Sequence, residues 1–218
     1  MKIVIQCAAR KDHAAGLMKT RDGKPVLFVA DPARAPATTH HLYARPDDLA
    51  ENGKTWRDVL LDYNANPAGN PLGLSQAWLL YRHGAYAALV ERFGTDKIFI
   101  LSAGWGLIRA DFLTPVYDIT FSAQAEPFKN RKAHDVYDDL NLLERRDTEP
   151  VVFFGGKGYL PLFCRLTADY AGRRIAAFNS ATEPQADGVR FVRYRTTTRT
   201  NWHYEAVNAF LNGTLVLS

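Results

Sequence analysis

Cysteine and methionine are scarce, at two residues each in a chain of 218. Cys7 and Cys164 stand far apart, which excludes a disulfide framework and any Cys-x-x-Cys metal or redox signature. A reduced, cytoplasmic setting is the expectation. No stretch approaches eighteen consecutive apolar residues, so no membrane-spanning helix is expected. The opening "MKIVIQCAARKDHAAG" has an apolar core of only four residues, too short for a secretory signal and suited to a first strand. Also missing are GxGxxG after the first strand, the Walker pattern GxxxxGK[ST], the nucleophile elbow GxSxG and HExxH. Six scattered histidines, His40 and His41 adjacent among them, make no metal spacing. No metal and no cofactor are expected.

What is present is ordinary in bulk and uneven in placement. Apolar content of 47% and charged content of 23% suit a globular domain with a real core. The net charge of +4 gathers at the ends: residues 1–34 carry seven Lys or Arg against three Asp, and residues 171–218 carry six Arg against three acids. The two ends make one anion-binding face only if the fold brings them together.

Periodicity predicts strands at 2–7, 26–30, 97–101, 150–154 and 173–179, with a further strand or extended arm at 188–197. Helices are predicted near 54–63, from Ser75 to a stop at Gly94, over 127–143, within 158–172, and from a cap at Thr200 or Asn201 to Gly213. The span 31–53 reads as irregular, and 188–213 as a basic terminal strand and short helix. The alternation implies a single α/β domain with a mostly parallel sheet covered by helices on both faces. Ligands in such sheets sit beyond the carboxyl ends of the strands. Three unusual loops fall there: "QCAARK", "SAGWG" and "GGKGY". One crevice lined by Cys7, Arg10, Lys11, Ser102, Trp105 and Lys157 is the expectation.

Each residue also has a plainer reading. "GGKGY" offers backbone N–H groups and Lys157 to an anion, or is a tight strand-to-helix turn. Trp105, between Gly104 and Gly106, either stacks on a base or sugar or packs on the core. Ser102 suits hydrogen bonding rather than nucleophilic attack. Asp118 in "TPVYDIT" is the candidate acid or base, or ends an Asx-type turn; Glu126 and Glu205 do not pair with it by spacing. Cys7 has Arg10 and Lys11 three and four residues on, and nearby positive charge can lower a thiol pKa, but a buried strand cysteine is the commoner case. In "RFVRYRTTTRTNW", Arg193, Arg195 and Arg199 share one face of an extended chain, as in a phosphate-contact strip or a charged edge strand.

The segment "ILSAGWGLIRADFLTPVYDITF" resembles the central signature of the YaaA-like proteins and of a related bacterial and phage α/β domain. The match falls on Ser102, Gly106, Leu107, Pro115, Tyr117 and Asp118, with Val116 as one residue more than the pattern has. "IVIQCAARK" is similar to the related domain's first strand, selecting Cys7 and Arg10 or Lys11; "HLYARPDD" and "GGKGY" extend the likeness in patches over roughly 2–160. It implies an α/β fold and binding of DNA, distorted duplexes included. The N-terminus departs from the YaaA pattern. Three readings follow. The chain binds DNA or a phosphate-bearing nucleotide through Lys11, Arg193 and Arg195. Or it is an enzyme of N-glycosidase or transferase type, in which Asp118 activates water, Trp105 stacks on the base and Lys11 or Lys157 holds phosphate. Or it is a non-catalytic interaction module.

Overall fold

Residues 2–5, 98–102 and 151–154 are buried without a break, the mark of inner strands covered on two sides. A computed structural model describes residues 1–51 and 53–217. In chain order it contains β1 (Lys2–Gln6), β2 (Met18–Lys19), β3 (Pro25–Val29), β4 (Leu42–Ala44), α1 (Trp56–Ala65), β5 (Ser75–Gln76), α2 (Ala77–Leu80) and α3 (Gly84–Phe93). There follow β6 (Ile98–Ser102), β7 (Gly106–Arg109), β8 (Leu113–Thr114), β9 (Tyr117–Asp118), β10 (Leu140–Asn141), β11 (Val151–Phe154), α4 (Leu160–Leu166), β12 (Arg174–Phe178), β13 (Val189–Arg193) and α5 (Trp202–Leu211).

Seven strands form the main sheet in the order β10-β7-β6-β1-β11-β12-β13. Every pair from β6 to β13 is parallel, whereas β7 runs antiparallel to β6 and carries β10 beside it. The fold is therefore α/β with a mixed, mostly parallel sheet. Numbered along the chain, its five parallel strands lie in the order 2-1-3-4-5. The chain leaves β1 to one side for β6 and later to the other side for β11. This makes a topological switch point between β1 and β11, where such sheets bind their ligands. On β11, Phe153 stacks on Phe163 of α4 and Phe154 meets Phe210 of α5. A smaller sheet joins β2, β3, β4 and β9, and β5 pairs with β8.

Local chemistry explains most element ends. Thr55 and Asp58 form a reciprocal capping box at the start of α1. His83 Nδ1 accepts from the N–H of Ala85 at the start of α3, which stops at Gly94 with φ +80°.

Three expectations need correction. The helix read from Ser75 to Gly94 is broken. Ser75–Gln76 is a strand, and between α2 and α3 the chain at Tyr81 bridges Lys11, while Leu80 O accepts from Asp12 N. The helix read over 127–143 is absent. There Phe128 O accepts from the N–H groups of Ala30 and Asp31, Asn130 bridges Thr120, and Leu140–Asn141 is a strand on β7. The backbone groups a helix needs are taken by neighbouring strands. The span 31–53 holds β4, parallel to β3; its Asn52 lies outside the described residues.

Candidate functional site at the switch point

The Ser-Ala-Gly-Trp-Gly turn between β6 and β7 is fully buried and serves as a junction. Ser102 Oγ accepts the N–H groups of Gly104 (3.2 Å) and Trp105 (3.0 Å) and donates to Tyr117 Oη (2.8 Å). Two buried arginines take the turn's carbonyls. Arg57 donates to the oxygens of Trp105 (3.0 Å) and Gly104 (3.1 Å) and pairs with Asp47 through Nε (2.7 Å). Arg131 donates to Ala103 O (2.8 Å) and grips Asp139 with both terminal nitrogens. Gly106 sits at φ +88°, and a side-chain carbon there would lie 2.4 Å from Leu140 O. Trp105 is 0% exposed, with Phe28 edge-on at 4.9 Å and the Arg57 guanidinium 5.7 Å from its ring. The stacking role expected of Trp105 is thus corrected: the indole is core. Arg57 and Arg131 were not legible as part of this turn, because each is brought to it by tertiary contact with no local pattern.

Beside the turn lies a buried phenol cluster. Tyr81 and Tyr117 share a hydrogen bond of 2.8 Å, and Tyr86 shares one of 3.1 Å with Tyr204 while donating to Gln6 O. Cys7 Sγ contacts Tyr159 Oη at 3.2 Å. Burial holds the hydroxyls of Tyr81, Tyr86, Tyr117 and Tyr159 well above the usual phenol range. Lys11 ends in this cluster, 4% exposed, with Nζ 4.2 Å from the centre of the Tyr117 ring. Burial pulls its pKa below the ordinary lysine value, against the pull of nearby Cys7 and Asp118. It has no ion pair among the described residues.

The cleft itself opens outside the carboxyl ends of β1 and β11 and holds about 310 Å³. Four segments line it: residues 6–9 from the last residue of β1 onward, residues 120–122 after β9, Gly156, Gly158 and Tyr159 after β11, and residues 199–204 at the entrance to α5. Gln6 ties two of them, because its Oε1 accepts the N–H of Gly156 at 2.6 Å. Phe121 meets Tyr159 edge-on at 4.9 Å. Asn201, at φ +61°, makes no side-chain cap for α5. His203 lines the cleft and is 2% exposed, and its Nε2 has no partner among the described residues. Burial and nearby His83 push its pKa down to about 4. Stacked on His83 at 3.6 Å, Tyr204 is pushed up to about 12, chiefly by burial.

Of the six residues expected in one crevice, only Cys7 lines it. Lys11 lies in the phenol cluster and Ser102 and Trp105 in the buried turn, while Arg10 and Lys157 are exposed and outside the lining. Gly106 and Tyr117 belong to the junction. Asp118, the candidate acid or base, is ion-paired with Lys129 at 2.8 Å and does not line the cleft. Arg193 and Arg195 are exposed at the end of β13 and just beyond it. Arg199, the last of the row, lines the cleft. Among the described residues no group of three or more His, Cys, Asp or Glu is placed to hold a metal, and no helix is long and apolar enough to cross a membrane.

No protein-family model, no curated protein and no solved structure matches this chain.

Proposed function

We propose that the protein binds a phosphate-bearing nucleotide, free or within DNA, at the switch-point cleft. Arg199 carries this reading. Like Arg193 and Arg195 it is exposed, and it also lines the cleft. A strand's phosphates can follow the row while one nucleotide enters between β1 and β11. The entrance to the ten-residue α5, without a side-chain cap, adds N–H groups and the positive end of a helix dipole. Half-buried Phe121, against Tyr159, offers a base an aromatic wall.

The lining favours binding over glycosidic cleavage. Among the described residues that form the cleft there is no Asp or Glu, whereas acid–base work at a glycosidic bond needs a carboxylate in reach. The same proposal takes the chain as a cytoplasmic single domain related to the YaaA-like proteins. It takes the sheet as covered on both faces, α4 lying against Phe153 and α5 against Phe154, adjacent residues of one strand.

The test is fluorescence anisotropy of a labelled duplex containing a bulge, titrated at several salt concentrations. Affinity falls steeply with salt, and each of Arg193→Ala, Arg195→Ala and Arg199→Ala lowers the slope by up to about 0.9. Salt-independent binding, or a slope unmoved by the triple variant, refutes the proposal.

A further inference from the structure

Gln6 ends β1 at the switch point, and it lines the cleft. Its Oε1 accepts the N–H of Gly156 at 2.6 Å, and of the two ends of a carboxamide only the oxygen can meet an N–H. That bond fixes which way round the amide stands and turns its acceptor toward the loop after β11. Nε2 is left with two N–H donors. It has no partner among the described residues, and unlike His203 Nε2 it is not sealed in by neighbouring atoms. Open donors therefore stand on a side chain at the cleft.

The side-chain acceptors nearby are already engaged. Thr120 Oγ1 takes the N–H of Ser122 at 3.1 Å, and Ser122 Oγ takes that of Gln124 at 3.4 Å. Cys7 Sγ and Tyr159 Oη pair with each other at 3.2 Å. Thr200 and Asn201 lie with Arg199 on the exposed rim, where the phosphate is placed. No carboxylate lines the cleft among the described residues. Amino bases are read by acceptors: N6 of adenine by a carboxamide that also reaches N7, and N4 of cytosine by a carboxylate. Neither is on offer, the first because Gln6 Oε1 faces Gly156. Keto bases carry an oxygen at the corresponding position, O6 of guanine or O4 of thymine and uracil, and free N–H donors suit an oxygen.

We propose that Gln6 is a specificity-determining residue that donates to the exocyclic oxygen of a keto base. The phosphate of that nucleotide lies at the Arg199 rim and its ring lies along Phe121. The inference rests on the cleft reading above. Its chemistry is shared by a free keto-base 5′-monophosphate and by a guanine or thymine turned out of a DNA strand.

Isothermal titration of the full chain with ligand pairs matched except at that group tests it. The pairs are inosine and adenosine 5′-monophosphate, uridine and cytidine 5′-monophosphate, and tetradeoxythymidylate and tetradeoxycytidylate. The keto member binds about tenfold tighter. Gln6→Glu keeps an oxygen for the Gly156 N–H and exchanges the donors for an acceptor, so the ratio within each pair falls to one or below, whatever the added charge does to both members. The ratios in the parent protein carry the test if the variant does not fold. A preference among the monophosphates identifies a free nucleotide as the source; one confined to the tetranucleotides identifies a strand. Equal binding within every pair, binding by none of these ligands, or a preference that survives Gln6→Glu overturns the base assignment. The cleft reading falls only if the bulged duplex fails to bind as well.

Discussion

Arg57 Nη1 donates to the carbonyl oxygen of Trp105 at 3.0 Å, joining α1 to the β6–β7 turn across 48 residues of chain. With Arg131 on Ala103, it closes a turn whose Trp105 carbonyl also accepts the N–H of Leu140 in β10. Buried carbonyls need partners, and here charged donors supply them. The glycine-rich turn is thereby fixed as part of the frame behind the cleft.

Breaking that frame is expensive. Arg131→Ala leaves the fully buried Asp139 with only half-exposed Arg165 for a partner and orphans Ala103 O. A loss of about 3–5 kcal/mol is expected in urea unfolding. A loss under about 1 kcal/mol would show that the pair does not support the turn.

Gly106→Ala tests the same turn from the backbone side. A methyl group meets Leu140 O at 2.4 Å and must accept φ +88°. Strain of about 1–3 kcal/mol, plus displacement of β10, is expected as a lowered melting temperature. An unchanged melting temperature would mean that β10 yields without cost.

Lys11 gives a pH signature. Its folded pKa lies below its ordinary value of 10.5, so the unfolded chain binds more protons in between and stability rises with pH there. The cost of burying the charge is fully present below the folded value and fades as pH rises through it. Lys11→Met is therefore more stable than the parent at pH 6, by a margin that narrows toward pH 10 in urea titrations. A constant margin, or a variant less stable throughout, contradicts this.

His203 behaves similarly at lower pH. Its folded pKa of about 4 lies below the ordinary 6.5, so stability is lost as pH falls from 6.5 toward 4. NMR titration finds its imidazole neutral until about pH 4, and His203→Gln flattens the stability loss over that window. Titration of His203 near 6.5 in the folded protein would remove the argument.

Glu205 is a positioning residue in the proposed binding. Its carboxylate accepts from Thr196 at 2.7 Å and Thr198 at 2.6 Å, which tethers the segment between Arg195 and Arg199 to α5. Glu205→Ala weakens binding several-fold with little change in melting temperature, although it removes a negative charge. Stronger binding would show that charge outweighs placement.

The inner strands were legible because their patterns are local. Three β-branched residues fill the middle of β1, and β6 and β11 are short apolar runs ended by Ser or Gly. The cleft was half legible. Cys7 and the "GGKGY" turn fall at strand ends that the topology brings together, and the arginine row showed in its spacing. What stayed hidden depends on distant partners. Residues 127–143 look helical only until Phe128 O is found serving Ala30 and Asp31 just after β3, and Arg131 is found serving residue 103. The entrance to α5 joins the cleft because α5 returns to pack beside α3 and β11, which no local pattern announces.

The sheet ends on one side at the two-residue β10 and on the other at the five-residue β13. The longer border is the one another chain could extend, and Arg190 and Arg193 are exposed on it. Charges there deter such pairing. Arg193, proposed to draw in a polyanion, therefore also helps keep copies of the protein apart, so neutralising it, by substitution or by bound phosphate, lowers the barrier to self-association.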